Sequence, residues 1–449
     1  MGRRITISNG VIWYGLREDA WVLVAPNRRS KERCLLIGKK EKALLDEIKK
    51  GRGVVEEDGL DGDQREMARN WLRPEFQILE ELKDPSPANS PDELALSVFQ
   101  EYMSARAMEG RHDLSDYYRG EVVDSGTQFE EVEMTVSHLY RDPHPALDNM
   151  SYGARFARVI MDKGGLREDM KILEVGCGTG IFGREFLREV KRSAPAIYGS
   201  LGYTFLDISP VLLKSQRENN REHRGRVLFR IGNIQDIQGS GAVYDLLIAN
   251  EMIADLPVVK MAKGDEGEGG QASEGWAVGR ELGLDFSDAP PLFILNLGAL
   301  RFLVALRTLL ARGGTGYITE YGSTWAYPKA YHVTNHREYS IHFGHLTRAA
   351  STLGLEARLA DLPGFLGFRG DLVVLDSLCH RSLFDHLLPF LGIQAVSSRV
   401  YTREMLSEAI PDILPGLRNL GFASLDTQGG IIYPKGFYVL ILEKKGTRA

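Results

Sequence analysis

The chain has 449 residues, 43% of them hydrophobic and 26% charged, with a formal net charge of −6. That length allows two or three domains with proper cores, and the acidic balance argues against bulk attraction to nucleic acid or an acidic membrane while slightly favouring a cationic substrate. Cys34, Cys177 and Cys379 lie too far apart for a zinc spacing or a disulfide framework, and neither an apolar leader nor a run of about 18 apolar residues occurs, so a cytoplasmic protein without a membrane anchor is expected.

In chain order, residues 1–83 read as a small α+β module. Ile5, Ile7, Val11 and Trp13, then Trp21–Val24 and Cys34–Ile37, suggest three short strands, followed by helices over Glu41–Lys50 and Asp63–Leu72. This β-β-β-α-α order weakly resembles the PqqD-like peptide-recognition domains, which would make the module a peptide clamp; a packing appendage of winged-helix type accounts for the same pattern. Residues 84–91 carry three prolines and form a linker. Residues 92–449 are then the main domain, opening with an amphipathic helix over Asp92–Met108. The cluster Arg111, His112, Asp113, Asp116, Tyr117 and Tyr118 could line a substrate channel or lie on a solvated surface.

Lys171–Gly180 is the organising stretch. Ile172–Val175 suits a buried parallel strand, Gly176, Gly178 and Gly180 permit a turn on which a ligand can lie directly, and Ile181–Val190 continues as a helix. Position 181 is Ile, so the dinucleotide spacing Gly-x-Gly-x-x-Gly is not met. With Glu174 at the strand's carboxyl end, the pattern resembles motif I of the class I S-adenosylmethionine-dependent methyltransferases. That resemblance implies a doubly wound Rossmann-like sheet with an antiparallel C-terminal edge strand, S-adenosyl-L-methionine as cofactor, and cofactor contacts from Glu174, Gly176, Gly178 and Gly180.

A second strand, Tyr203–Asp207, is followed by Ile208, Ser209 and Pro210. An acid here can accept both ribose hydroxyls, and it can equally serve the start of the next helix. A third strand, Val227–Ile231, ends in Gly232-Asn-Ile-Gln-Asp236; by the class I resemblance Asn233, Ile234 and Asp236 meet the adenine, and a surface turn explains the same residues. The fourth strand, Tyr244–Ala249, leads into Asn250-Glu-Met-Ile-Ala-Asp-Leu-Pro-Val258, which closely resembles the Asn-Glu segment of the MidA-type methyltransferases, relatives of the mitochondrial arginine methyltransferase that acts in assembly of respiratory complex I. Ala254 and Asp255 stand in reversed order relative to that family.

Residues 261–290 read as an insertion rich in Gly, Glu, Ala and Ser, expected to form a mobile loop beside the active-site end of the sheet, a tolerated insertion rather than a lid. A helix over Leu300–Ala311, a Gly313-Gly314 break and a strand over Gly316–Gly322 follow. Four histidines, His332, His336, His342 and His345, do not match one helix face, so no metal is expected; helix capping or substrate contact is the plainer role. Amphipathic segments over Ser382–Leu391 and Thr402–Leu420 precede a hairpin through Pro434–Gly436.

Methyl transfer from a sulfonium is one in-line displacement, so aligning the acceptor is the protein's main task. Paired carboxylates suit a guanidinium acceptor: Glu251 first, with Asp255 and Glu320 completing an acidic clamp and Asn250 fixing substrate or cofactor. The expected activity is methylation of a protein or peptide, at arginine. The alternatives are tailoring of a ribosomal peptide held by the N-terminal module, and a non-catalytic assembly factor of the same fold.

Overall fold

The structure is a computed structural model that describes residues 4–7, 12–17, 20–24, 34–50, 54–56, 60–71, 79–81, 108, 111–120, 143–144, 147–235, 237, 241–264, 271–333, 336–368, 372–374, 400–402 and 436–446. The helices expected over 92–108, 382–391 and 402–420, the linker and the first arm of the C-terminal hairpin lie outside the described residues, apart from Met108 and Thr402. The chain divides into two compact units, residues 1–92 with 369–433, and residues 93–368 with 434–449.

In the first unit, Leu44, Leu45 and Ile48 form the buried stripe of a helix over Lys39–Lys50. The expected first strand is two strands that go to different sheets. Arg4–Ile7 pairs with Val54–Glu56 and Leu79–Glu81, whereas Ile12–Arg17 pairs with Ala20–Val24, which pairs with Cys34–Ile37.

The second unit is centred on an eight-stranded sheet. Seven of its strands, β1 (Lys171–Val175), β2 (Gly202–Asp207), β3 (Val227–Ile231), β4 (Tyr244–Asn250), β5 (Leu310–Ser323), β6 (Leu355–Asp361) and β7 (Phe437–Lys444), run in the order β3-β2-β1-β4-β5-β7-β6, and the short strand Ile341–His342 pairs with the end of β5. β1 to β5 pair in parallel, and β7 runs antiparallel to both β5 and β6. The last strand in sequence is thus antiparallel, as expected, but sits one place in from the edge, because β6 has closed the sheet outside it. Near-continuous burial along β1, β2 and β4 follows from helices covering both faces. Those helices include α1 (Tyr152–Asp162), α2 (Ile181–Ser193), α3 (Leu213–Asn219), α4 (Leu297–Leu309) and α5 (Phe343–Thr352). Gly153 lets α1 approach α2 closely: a Cβ there would stand 2.4 Å from the Phe182 carbonyl oxygen.

Two expectations are corrected here. Gly313 and Gly314 do not break the chain before β5; they lie inside it, where the register against β4 shifts between Tyr244 and Leu246. Residues 261–290 are not a mobile loop over their described length. Val258–Ala262 pairs with Leu292–Leu295, Gln271–Glu281 is helical, and Trp276, Leu282 and Phe286 join the main core. The polar composition hid three large apolar side chains that supply the burial. Trp276 is only 5% exposed and meets Phe286 and Phe293 edge-on. Trp276→Ala should therefore cost about 3–5 kcal/mol, read as a fall in the midpoint of chemical denaturation; a loop merely tolerated on the surface would leave the midpoint unchanged.

Candidate active site

In an open α/β sheet, ligands collect beyond the carboxyl ends of the strands where the strand order reverses. Here the reversal falls between β1 and β4, and the chain leaving β1 enters the glycine turn there. Gly176, Gly178 and Gly180 have φ of 67°, 50° and 77°, conformations that side-chain-bearing residues rarely adopt. A Cβ at Gly176 would collide with the Met252 side chain, whereas at Gly178 nothing lies within 4 Å of that position. The turn is packed on one flank and open at its middle.

Asp207, at the end of β2, holds this turn. Its Oδ2 accepts from the Gly178 N–H (2.9 Å) and lies 3.7 Å from the Cys177 thiol, and its Oδ1 accepts from the Ser209 N–H (2.8 Å). The backbone N–H of Ile208 also donates to this carboxylate, so Asp207 is ringed by donors from both the glycine turn and its own strand end. Burial lifts the Asp207 carboxyl above its usual range, and the N–H donors from Ser209 and Gly178 oppose that lift. Ile208 follows, half-buried.

Glu174 lies behind the turn. It is 2% exposed, its Oε2 accepts from the Tyr203 hydroxyl (2.9 Å), and Gly183 of α2 leaves room for it, since a Cβ there would meet that same oxygen at 2.4 Å. Burial first, then the nearby Asp207 charge, push its carboxyl to about 8, against the Tyr203 hydrogen bond. Ile234 is buried in the main core, and Asn233 accepts the Gln235 N–H (3.0 Å) in the corner after β3. Asp236 is outside the described residues.

Across the reversal, β4 and β5 bring together a second group of polar residues. The Asn250 Oδ1 accepts from Tyr152 Oη (2.8 Å) and Thr319 Oγ1 (2.7 Å). Glu251 follows with φ of 47°, and its N–H donates to the Thr319 carbonyl (3.0 Å). Such a backbone costs about 1–3 kcal/mol in a residue other than glycine and persists where the surroundings impose it, most often at functional sites. Glu320, 5% exposed, accepts from the N–H groups of Ala254 (3.2 Å) and Tyr321 (2.9 Å). Burial, and then the Glu251 charge, hold the Glu320 carboxyl well above the usual range. Asp255 sits in the short turn Ile253–Asp255 and receives a hydrogen bond from the Tyr118 side chain, and the phenol of Tyr118 is raised by burial, Asp255 and Glu338. The structure therefore gathers Asn250, Glu251, Asp255 and Glu320 with Tyr118, Tyr152, Thr319 and Glu338.

Among the histidines, His342 and His345 stack with ring centroids 3.7 Å apart, and the His342 Nδ1 caps α5 by accepting the His345 N–H (3.1 Å). Burial lowers them to about 4 and about 3. His332 and His336 lie on an antiparallel pair, Ala330–Val333 with His336–Tyr339.

Sequence reasoning missed Gln216, Asn219 and Asn220. Their carboxamides donate to the carbonyls of Gly178 (2.8 Å), Thr179 (2.9 Å) and Gly180 (3.0 Å). The spacing 216, 219, 220 places them on one side of a helix, a readable signal. Tyr152 and Thr319 gave no such signal, because their role depends on contacts across the sheet.

Residues 153–321 match the model of a family described as "Putative S-adenosyl-L-methionine-dependent methyltransferase". A highly reducing polyketide synthase, ctvA, from Aspergillus terreus is 28% identical over 212 residues, which is 46% of this chain and 8% of the synthase, so the chain spans a small part of that relative's length. Among solved structures, a superfamily member from Burkholderia thailandensis bound to S-adenosyl-homocysteine is 15% identical, covers 81% of this chain and 95% of its own, and has a TM-score of 0.36. The glycopeptide N-methyltransferase MtfA is 15% identical, covers 47% and 89%, and has a TM-score of 0.29. Among the described residues no helix is long and apolar enough to cross a membrane.

The sign of the Glu174 shift gives a test. Its folded value of about 8 lies above the ordinary 4.5, so the folded state holds the proton more tightly and the protein loses stability as pH rises from about 4.5 to about 8. Glu174→Gln should match the wild type near pH 4 and gain on it, on the order of a few kcal/mol, by pH 9. Denaturation midpoints of both proteins across that range check this; parallel curves would contradict it.

Proposed function

We propose that this chain, whose residues 153–321 match a family of S-adenosyl-L-methionine-dependent methyltransferases, methylates a protein or peptide at an arginine side chain. The observation that carries the acceptor class is the gathering of Glu251, Asp255, Glu320 and Glu338 beyond β4 and β5, close enough for Glu251 and Glu338 to raise Glu320 and for Asp255 and Glu338 to raise Tyr118. A guanidinium stays charged at neutral pH and offers five donors in a planar fork, which carboxylates can accept in pairs.

The cradle at Gly176–Gly180 fits the cofactor: Gly178 leaves it open, and Asp207 closes one side. When bound, the cofactor supplies an activated methyl group. The protein's task is alignment and exclusion of water. Asp207 and the glycine turn would hold the sugar and the methionyl part, and Asn250, fixed through its Oδ1 by Tyr152 and Thr319, keeps its amide in one orientation at the border of the two half-sites. Glu251, driven into a left-handed backbone at the end of β4, presents the acceptor's carboxylate partner. Burial and the Glu251 charge both favour the protonated form of Glu320, and Glu251 would orient one guanidinium nitrogen and take up the proton that methylation releases.

A second reading, transfer to an acyl carbon of polyketide type, is supported by the local match to the polyketide synthase. Mass spectrometry of proteins from cells with and without the chain separates the two: a gain of one or two methyl groups on arginine supports the first, and label appearing in small acyl products alone contradicts it. In the same assay Glu251→Gln should lower turnover by roughly a hundredfold or more while S-adenosyl-homocysteine binds by calorimetry as to the wild type. Loss of binding would place Glu251 on the cofactor side instead.

A further inference from the structure

We infer that the polar side of α3 positions the cofactor-binding turn, so that Gln216, Asn219 and Asn220 set cofactor affinity without touching the cofactor. The inference rests on the methyltransferase reading above and deepens its cofactor half. Three consecutive carbonyls, at Gly178, Thr179 and Gly180, each accept from a carboxamide of α3 or of Asn220, which ends it, at 2.8, 2.9 and 3.0 Å. The Gly178 N–H is held from the other direction by Asp207 at 2.9 Å.

This arrangement decides which way the turn faces. A trans peptide is planar, with its N–H pointing opposite to its C=O. Drawing the carbonyls of Gly178 and Gly180 toward α3 therefore turns the N–H groups of Thr179 and Ile181 away from it. Ile181 opens α2, so its N–H belongs to the donor end of that helix, where an anionic group such as a carboxylate is favoured. A five-residue turn with glycine at three places has many other conformations to sample. The side chains of α3 select one of them before any ligand arrives, and affinity lost to ordering the turn is thereby recovered.

The contacts are specific to the turn. Gln216 and Asn220 are buried, although amides are ordinarily exposed, and Asn220 also bonds the Gln216 carbonyl at 3.0 Å, tying the end of α3 to its own partner. At Gly180 a Cβ would stand 2.8 Å from the Asn220 amide nitrogen, so the close fit also requires the glycine.

Asn219 is half-buried and is the residue to change first, because its loss leaves the core intact. In the full chain, Asn219→Ala and Gln216→Ala should each weaken S-adenosyl-homocysteine binding, measured by calorimetry, roughly two- to tenfold. Asn219→Asp, which sets a carboxylate against the Thr179 carbonyl, should weaken it more than Asn219→Ala does. Exchange of backbone amides, followed by mass spectrometry without ligand, should accelerate over residues 177–181 and stay unchanged across β1 and β4. Arg217→Ala, exposed on the same helix, should alter neither readout. Wild-type affinity in the variants, or exchange that rises evenly over the whole unit, would overturn the inference while leaving the methyltransferase reading in place. Failure of the wild type to bind S-adenosyl-homocysteine would remove both.

Discussion

The site depends on a backbone constraint: between β1 and α2 the chain must take left-handed conformations at residues 176, 178 and 180. Only glycine adopts these without steric cost, and glycine alone would leave the turn loose. Its shape is imposed by neighbours from other parts of the fold. Asp207 reaches it from β2, three carboxamides reach it from α3, and the Met252 side chain fills the space that a Cβ at 176 would need. Sheet order, which sets β2 and β4 on either side of β1, is what brings these groups within reach.

The two halves of the site use charge differently. On the cofactor side, each carboxylate is enclosed by donors: Glu174 by the Tyr203 hydroxyl, Asp207 by N–H groups. Beyond β4 and β5, carboxylates lie near one another, and burial compounds their mutual repulsion. Such an arrangement is costly in the free protein and would become favourable once a cation entered, which is what the proposed charged acceptor would supply. The left-handed backbone at Glu251 belongs to the same economy of strain.

Much of this was legible in the sequence. β1 to β4 stand where short apolar runs bounded by Gly, Pro and Asn place them, because strands buried on both faces need little beyond continuous hydrophobicity. Glu251 and Glu320 were readable from their positions after β4 and within β5. The insertion after Val258 was misjudged because its average polarity concealed Trp276, Leu282 and Phe286, and burial depends on a few large side chains rather than on composition. The division of the first strand into Arg4–Ile7 and Ile12–Arg17 was hidden because period-2 patterning does not say which sheet a strand joins. Tyr152 and Thr319 escaped notice for a related reason: their hydroxyls matter only because the fold delivers both to Asn250.

A crystal structure of the full chain grown with S-adenosyl-homocysteine addresses the central claim most directly. The account predicts the ligand lying across residues 176–180, its ribose hydroxyls on Asp207 and its sulfur directed toward Asn250 and Glu251. A ligand bound elsewhere on the sheet, or a crevice closed by the Met252 side chain with the ligand absent, would contradict it.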